Sequence, residues 1–520
     1  MQGLFDPAAR LVNLSLSTPS LSDNKSIDTR IRAAVQELLG ERPVLPYRAL
    51  SGLTSRIYRQ TRFGVVLVDG QCGLEVADIG PADRTRSPFG LAVDLGSTSV
   101  VFYLVEMATG NVISTTSRPN PQRVHGEDIL ERIVFSRGSR GLETLKGELS
   151  GLFNEVTAEI TNEAGLSPED IFFISVAGNT TMTHFFLGLD PGHICVEPYL
   201  PLANSFDLIM AKELGIRSHP GARVYCFPNV SSYFGGDLLA GILATGIHMR
   251  EEISMLVDVG TNAEVVLGNR DWMVACAGAA GPALEGGILS CGMMAAPGAI
   301  ERVGIDMPGL TPRYQTIGAV PPIGMCGSGI IDLIAALFKA GLVDRTGKFV
   351  LDRDAGRMRQ IDGEWAYVLV KEEETGHGRP VYISQSDIKN LIRSKAAMYT
   401  ILNVVIQSVG IDFDDIGSFY VAGAFGNYID PQNAVTIGML PDVPVERFKG
   451  VGNTAGMGAI EVLRNRRARL DVEDIRDHVT YLEMNVRADF MNQLTASLFL
   501  PHTDIARFPS VKAFLEHSRA

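Results

Sequence analysis

The chain has 520 residues, 46% hydrophobic and 20% charged, with 46 Lys+Arg against 59 Asp+Glu and a formal net charge of −13. That length exceeds what one hydrophobic core organises and predicts several domains. The acidic balance argues against nucleic acid as a main partner, because phosphate backbones are held by clustered cations.

The opening residues MQGLFDPAARLVN lack a basic region followed by an apolar core, so no signal peptide is expected and the cytoplasm is the default location. IDTRIRAAVQELLGE (27–41) has helical periodicity, and RFGVVLVDGQCGLEVADIG (62–80) reads as a hairpin turning at Asp69-Gly70. PADRTRSP (81–88) is a polar linker. Residues 1–88 are therefore expected to form a small α+β domain.

From Gly90 the pattern becomes strand, tight turn, strand, strand, then helices, the grammar of an α/β domain, expected over residues 89–249. IFFISVAGNTTMTHFFLG (171–188) is a buried strand whose polar loop enters a helix. At SMLVDVGTNAEVVLGN the programme restarts. Aligning Asp94 with Asp258 matches strand, acid, glycine, hydroxyl and strand in one register, which reads as an internal duplication and opens a second domain over residues 250–520. Residues 273–300 carry Glu285 among Gly, Ala and Pro, a set of tight loops rather than a membrane span. RNRRARL (464–470) reads as a solvated helix face. The six cysteines show no C-x-x-C spacing, so neither an iron–sulfur cluster nor structural zinc is expected.

The chemistry gathers at glycine-rich turns. In LAVDLGSTSV, Gly96 admits close approach, consecutive backbone N–H groups face a ligand, and Ser97, Thr98 and Ser99 add donors suited to phosphate oxygens. The adjacent Asp94 fits such a site if Mg²⁺ stands between carboxylate and phosphate. Asp258, Gly260, Thr261 and Asn262 repeat the arrangement. Both acids are expected to hold the metal, through water, and the two turns to clamp a nucleotide across a cleft. Asn179, Thr180 and Thr181 in AGNTT can donate to phosphates. Gly327 and Ser328 in GSG, and Gly423, Ala424 and Gly426 in AGAFG, offer backbone for adenine and ribose. Asp237, before a helical run, is either an N-cap or a catalytic acid holding water or metal. Glu264 and Glu285 can orient water or pair with a backbone N–H. No G-x-x-x-x-G-K-[ST] occurs, so this is no P-loop site.

The two DxG[ST]-type turns, GSG and AGAFG resemble the ATPase superfamily of acetate and sugar kinases, Hsp70 and actin. More narrowly, GLAVDLGSTSV, NPQRVHGEDILERI, AGNTTMTHFFLGLDP, SSYFGGDLLAGIL, LVDVGTNAEVVLGN, CAGAAGPALEGG, GMCGSGIID and YVAGAFGNYID, in that order, resemble the reductive activators of corrinoid proteins. That resemblance runs from about residue 90 to near the C-terminus, and residues 1–88 are similar, more weakly, to the linker and middle domain of that family. It implies two duplicated actin/Hsp70-like (RNase H-like) ATPase subdomains around a nucleotide cleft. It also implies ATP and Mg²⁺ as cofactors, Gly281 in CAGAAGPALEGG as a further nucleotide contact, and a homodimer. The activity implied is return of a corrinoid partner protein from Co(II) to Co(I). Family members carry a [2Fe-2S] ferredoxin-like domain ahead of the middle domain; this sequence begins after that point, so either a separate ferredoxin or other low-potential donor is expected to supply the electron, or the chain performs only the ATP-driven remodelling step. Within the superfamily the alternatives are a small-molecule kinase, with Asp237 as base, and an ATP-switched assembly protein.

Overall fold

A computed structural model describes residues 5–51, 53, 60–83, 85–260, 262–279, 281, 287–353, 356–482 and 490–517. They divide into two compact units, Met1–Ala244 with Thr454–His478, and Thr245–Asn453 with Val479–Ala520.

The first unit begins with an antiparallel sheet, β1 (Ala9–Ser15), β2 (Arg62–Gly70) and β3 (Gly73–Pro81), in the order β1-β2-β3. Ile31 and Val35, one helical turn apart on the helix Ile27–Leu39, pack with Val12, Phe63, Val65 and Val76 from the sheet. The hairpin is present, but it turns at Gln71-Cys72, since Gly70 pairs with Gly73. Asp69 stays in the strand, buried against Arg469.

A second sheet carries β4 (Phe89–Leu95), β5 (Ser99–Glu106), β6 (Val112–Pro119), β7 (Ile171–Gly178), β8 (Ile209–Met210) and β9 (Arg223–Cys226) in the order β6-β5-β4-β7-β9-β8. β5 and β6 run antiparallel from β4, whereas β7 and β9 extend the sheet in parallel. The core is buried on both faces, as strands covered by helices require. Leu91, Val93 and Phe102 meet Leu145, Leu149, Phe153 and Val156 of the helix Gly141–Glu163. The helix Thr454–Arg464 covers β4, β5 and β7 from the other side, with Gly456 against Tyr103 and Gly458 against the Ala240 carbonyl.

The run 464–470 is not a solvated helix face. Arg466 bridges Asp6 and Glu41 at 2.8 Å each, Arg469 pairs with Asp69, and Arg464 donates to the Gly110 carbonyl at 2.7 Å. These cations fasten the turn after the helix Thr454–Arg464, and the helix Ala468–His478, to the amino-terminal sheet and its surroundings.

The second unit repeats the plan. Its main sheet contains β10 (Ser254–Val259), β11 (Asn262–Gly268) and β12 (Met273–Ala279). Then come two three-stranded sheets, β13 (Ala299–Asp306), β14 (Thr311–Thr316) and β15 (Gly324–Met325), and β16 (Met358–Ile361), β17 (Glu364–Val370) and β18 (Val381–Ser384). β19 (Ser418–Ala422), β20 (Phe448–Gly452) and β21 (Val479–Tyr481) complete the main sheet in the order β20-β19-β10-β11-β12-β21. As in the first unit, the leading strand starts a run of two successive antiparallel pairings on one edge and two successive parallel pairings on the other; the sixth strand differs, β21 lying beyond β12 here and β8 beyond β9 in the first unit. The duplication read from the sequence is therefore a duplication of topology. Among the described residues no helix is long and apolar enough to cross a membrane.

Candidate functional site

In each unit the acid is the penultimate residue of the leading strand, and it sits at the same place in the sheet. Asp94 lies beside Ala177 of β7, and Asp258 beside Ala422 of β19. The loops following these parallel strands, AGNTT and AGAFG, are therefore equivalent positions, although the sequence suggested phosphate for one and adenosine for the other. The registers beyond the acids differ by one residue. Asp94 faces Val101, seven positions on, and Asp258 faces Glu264, six positions on. The single-register alignment of the two turns thus holds only as far as the glycines.

In the first unit, Gly96 is dictated by closure of the turn, because a side chain there would lie 2.5 Å from the Ser99 carbonyl oxygen. Thr98 is exposed, and Asp94, Gly96, Ser97 and Ser99 are half-buried. Asp94 reaches the Tyr103 phenol electrostatically: burial first, and then the Asp94 charge, push that phenol up to about 12. β7 runs directly into the helix Thr180–Leu187, whose N-cap Asn179 accepts from the Met182 N–H at 2.9 Å. The Thr180 hydroxyl donates to the Ser231 carbonyl at 2.7 Å, and Thr181 is buried. The Thr180 hydroxyl is thus turned to structure and Thr181 is buried, which leaves the Asn179 amide as the half-buried polar side chain of this loop.

Asp237 joins the same group of residues. It is not an N-cap: the helix starts at Gly236, and Asp237 accepts from the Leu238 N–H at 2.9 Å. A side chain at Gly235 would come within 2.8 Å of both Asp237 Oδ1 and Thr180 N, so this glycine lets the two loops touch. Asp94, Gly96, Ser97, Thr98, Asn179, Thr180 and Asp237 all stand at or beyond the carboxyl ends of β4 and β7, where open α/β sheets place ligands.

Two residues of this region carried no signal as site residues. Asn120, 1% exposed, donates from Nδ2 to the Gly96 carbonyl at 2.9 Å and from its backbone N–H to the Thr98 carbonyl at 2.9 Å. Arg132 is fully buried and donates to the Ser97 carbonyl at 2.7 Å, the Gly126 carbonyl at 2.9 Å and the Glu127 carbonyl at 3.3 Å. Desolvation lowers its pKa below the ordinary arginine value. In the sequence both residues fall in NPQRVHGEDILERI, where neither is singled out.

In the second unit, Asp258 and Gly423 touch: Gly423 has φ +77°, and a side chain there would lie 3.2 Å from Asp258 Oδ1. Glu264 stands opposite Asp258, and its charge adds to burial in pushing the Cys276 thiol up. Gly260 is half-buried and Asn262 opens β11. Gly281 has φ +86°, and a side chain there would lie 3.0 Å from Ser394 Oγ. Thr261 and Glu285 lie outside the described residues. Gly327 and Ser328 begin the helix Gly327–Lys339; Ser328 is buried with its hydroxyl 3.4 Å from Cys326 Sγ, and Gly329 lies against the Ile300 carbonyl. Gly423, Ala424 and Gly426 belong to the helix Gly423–Tyr428, where Gly426 packs on the Val421 carbonyl. Both glycine clusters therefore answer first to close packing within the unit.

The comparisons with known proteins agree with this architecture. The family described as the C-terminal domain of RACo, the ASKHA domain, matches residues 252–512, and the RACo middle region matches residues 89–250. The chain belongs to the RACo family. The RACo middle region falls on the residues expected above to be the first ATPase subdomain, and not on residues 1–88. A solved reductive activator for a corrinoid, iron–sulfur protein is 38% identical, with a TM-score of 0.90 over 98% of this chain and 82% of its own. The corrinoid activation enzyme RamQ of Eubacterium limosum is 33% identical over 396 residues, 74% of this chain and 66% of RamQ. A [Co(II) methylated amine-specific corrinoid protein] reductase of Methanosarcina barkeri is 26% identical over 448 residues, 79% of this chain and 75% of the reductase. The chain thus spans about two thirds of the RamQ length. Its two units carry the duplicated ASKHA architecture.

Proposed function

We propose that this chain is an ATP-dependent reductive activator of a corrinoid protein, returning inactive Co(II) to Co(I), with the electron supplied by a separate low-potential donor such as a ferredoxin. The observation that carries the reading is the 38% identity and TM-score of 0.90 with a reductive activator over nearly the whole chain.

In this reading Asp94, Gly96, Ser97 and Thr98 form the turn that takes phosphate oxygens, and Asp258, Gly260, Thr261 and Asn262 its counterpart. Asp237 and Asn179 lie beside the first turn, suited to hold the attacking water or a phosphate oxygen. Gly281, Gly327, Ser328, Gly423, Ala424 and Gly426 are assigned to the adenosine end. The Asp94 and Asp258 carboxylates would hold Mg²⁺ through water, and the ion would supply charge neutralisation at the phosphates. ATP can assist an uphill reduction only through differential contacts with the partner, since a ligand shifts an equilibrium by no more than its difference in affinity for the two states. The scale is modest: for one electron about 59 mV corresponds to ~1.4 kcal/mol. The chain is proposed to act as a homodimer.

The test combines the purified chain, a corrinoid protein, a low-potential donor and Mg-ATP. The reading expects Co(I) absorbance that requires ATP, and an ATPase stimulated by the corrinoid protein. Equal Co(I) formation with and without ATP would refute it. Sedimentation velocity tests the dimer.

A further inference from the structure

We infer that Asn120 and Arg132 are positioning residues of the first phosphate turn, holding its peptide groups so that three consecutive N–H donors face the ligand; this rests on the nucleotide reading above. In a trans peptide the carbonyl of one residue and the N–H of the next point in opposite directions. The carbonyls of Gly96, Ser97 and Thr98 are each engaged from behind: Gly96 by the Asn120 amide, Ser97 by the Arg132 guanidinium, Thr98 by the Asn120 backbone N–H. The N–H groups of Ser97, Thr98 and Ser99 therefore point the other way, together, as an anion-binding nest does. A glycine-containing turn left to itself would sample other peptide orientations, so the bracing removes an ordering cost from ligand binding.

The brace is itself fixed. Asn120 Oδ1 accepts from the Gln122 N–H at 3.0 Å, which orients the amide so that Nδ2 meets Gly96. Pro119, immediately before Asn120, pairs with Ser99 and delivers Asn120 beside the turn. Arg132 is buried on backbone carbonyls of Ser97, Gly126 and Glu127, an arrangement expensive to bury and aimed at a turn rather than at a carboxylate. Met182 Sδ lies 3.8 Å from both Asn120 Nδ2 and Arg132 Nη1, so the helix following Asn179 rests on the same two residues.

Binding of Mg-ATP and of adenosine to the full chain, measured by calorimetry, tests the inference. Asn120→Asp keeps the cap oxygen and removes the donor to Gly96; Arg132→Met removes the guanidinium; Arg132→Lys restores one donor. Asn120→Asp and Arg132→Met should each weaken ATP about 10- to 100-fold, the size of a lost charge-assisted or buried hydrogen bond, while adenosine changes less than about twofold. Arg132→Lys should recover most of the loss. If the unaltered chain binds ATP no better than adenosine, the nucleotide reading of this turn fails. If it prefers ATP and both variants keep that preference, the inference alone fails. Parallel loss of ATP and adenosine, or failure of all three variants to fold by circular dichroism, would make the two residues scaffolding and overturn it as well.

Discussion

In the first unit four residues, 96–99, connect the paired positions Leu95 and Val100; in the second, three residues connect Val259 and Ala263. Opposite the acid stands Val101 in one unit and Glu264 in the other. After the parallel strand one chain continues with Asn179, Thr180 and Thr181 and the other with Ala424, Phe425 and Gly426. The acid, the glycine two residues on and the acid's alanine neighbour on the parallel strand are kept, while the turn length, the residue opposite the acid and the loop after the parallel strand have changed. A duplicated scaffold fixes where a ligand's charge can sit, and the loops decide what each end does with it.

Removing each acid gives the largest effect that bears on this difference. Asp94→Asn should lower ATP turnover by about three orders of magnitude, as loss of a main electrostatic contact does, and Asp258→Asn by about one to two, because Glu264 keeps a carboxylate at the second turn. Steady-state ATPase assays decide it, and equal losses would break the asymmetry. Next in size is the packing of the two equivalent loops. Gly426→Ala overlaps the Val421 carbonyl and should cost ~3 kcal/mol in denaturant unfolding, whereas Gly178→Ala, 3.0 Å from Leu95 Cβ, should cost ~1 kcal/mol.

Acid should separate the units further. Burial first, then the Arg507 and Lys395 cations, lower the His502 imidazole from 6.5 to about 4. The unfolded chain binds that proton near pH 6.5 and the native second unit only near pH 4. Stability is therefore intact above 6.5, falls as the pH drops through the window, and levels off below about 4. Hydrogen-exchange protection around residues 498–508, taken relative to the intrinsic rate at each pH, should fall between pH 7 and pH 5, and His502→Asn should remove most of that change. In the first unit burial also lowers His184, so both units lose stability in acid and the contrast lies in degree. The smallest effect is expected from Glu264→Gln, which relieves a like-charge pair directly across two strands and should stabilise the second unit by ~0.5 kcal/mol, read as a raised denaturant midpoint.

Strands and turns were legible wherever period-2 apolar runs stop at Gly, Asp or Ser, and both acid turns came from that pattern alone. The missing residue of the second turn was not, because V-V after LGSTS and E-V-V after GTNA read alike until pairing assigns Glu264 to Asp258. The Asp69-Gly70 pair carries hairpin chemistry, yet Asp69 is held in the strand by Arg469, 400 positions away. The same distance hid the partners of Arg466, whose run looked solvated only because its acids lie near the other end of the chain. Arg132 escaped notice because its partners are backbone carbonyls, which no residue pattern displays. Glycines were the most ambiguous letters: Gly96 shapes a candidate site, whereas Gly329 and Gly426 mark tight packing, and the sequence writes both the same way.

The interleaving of the two units has a consequence for how the protein is made. Asp6 is among the first described residues to leave the ribosome, and its partner Arg466 follows 460 positions later. The helix covering β4, β5 and β7 likewise arrives only with residues 454–464, after nearly the whole second unit has been synthesised. During translation the first unit's sheet must wait with one face uncovered, an apolar surface open to chaperones and to aggregation. Nascent chains halted before residue 454 should therefore bind a hydrophobic dye that chains extended past 478 exclude.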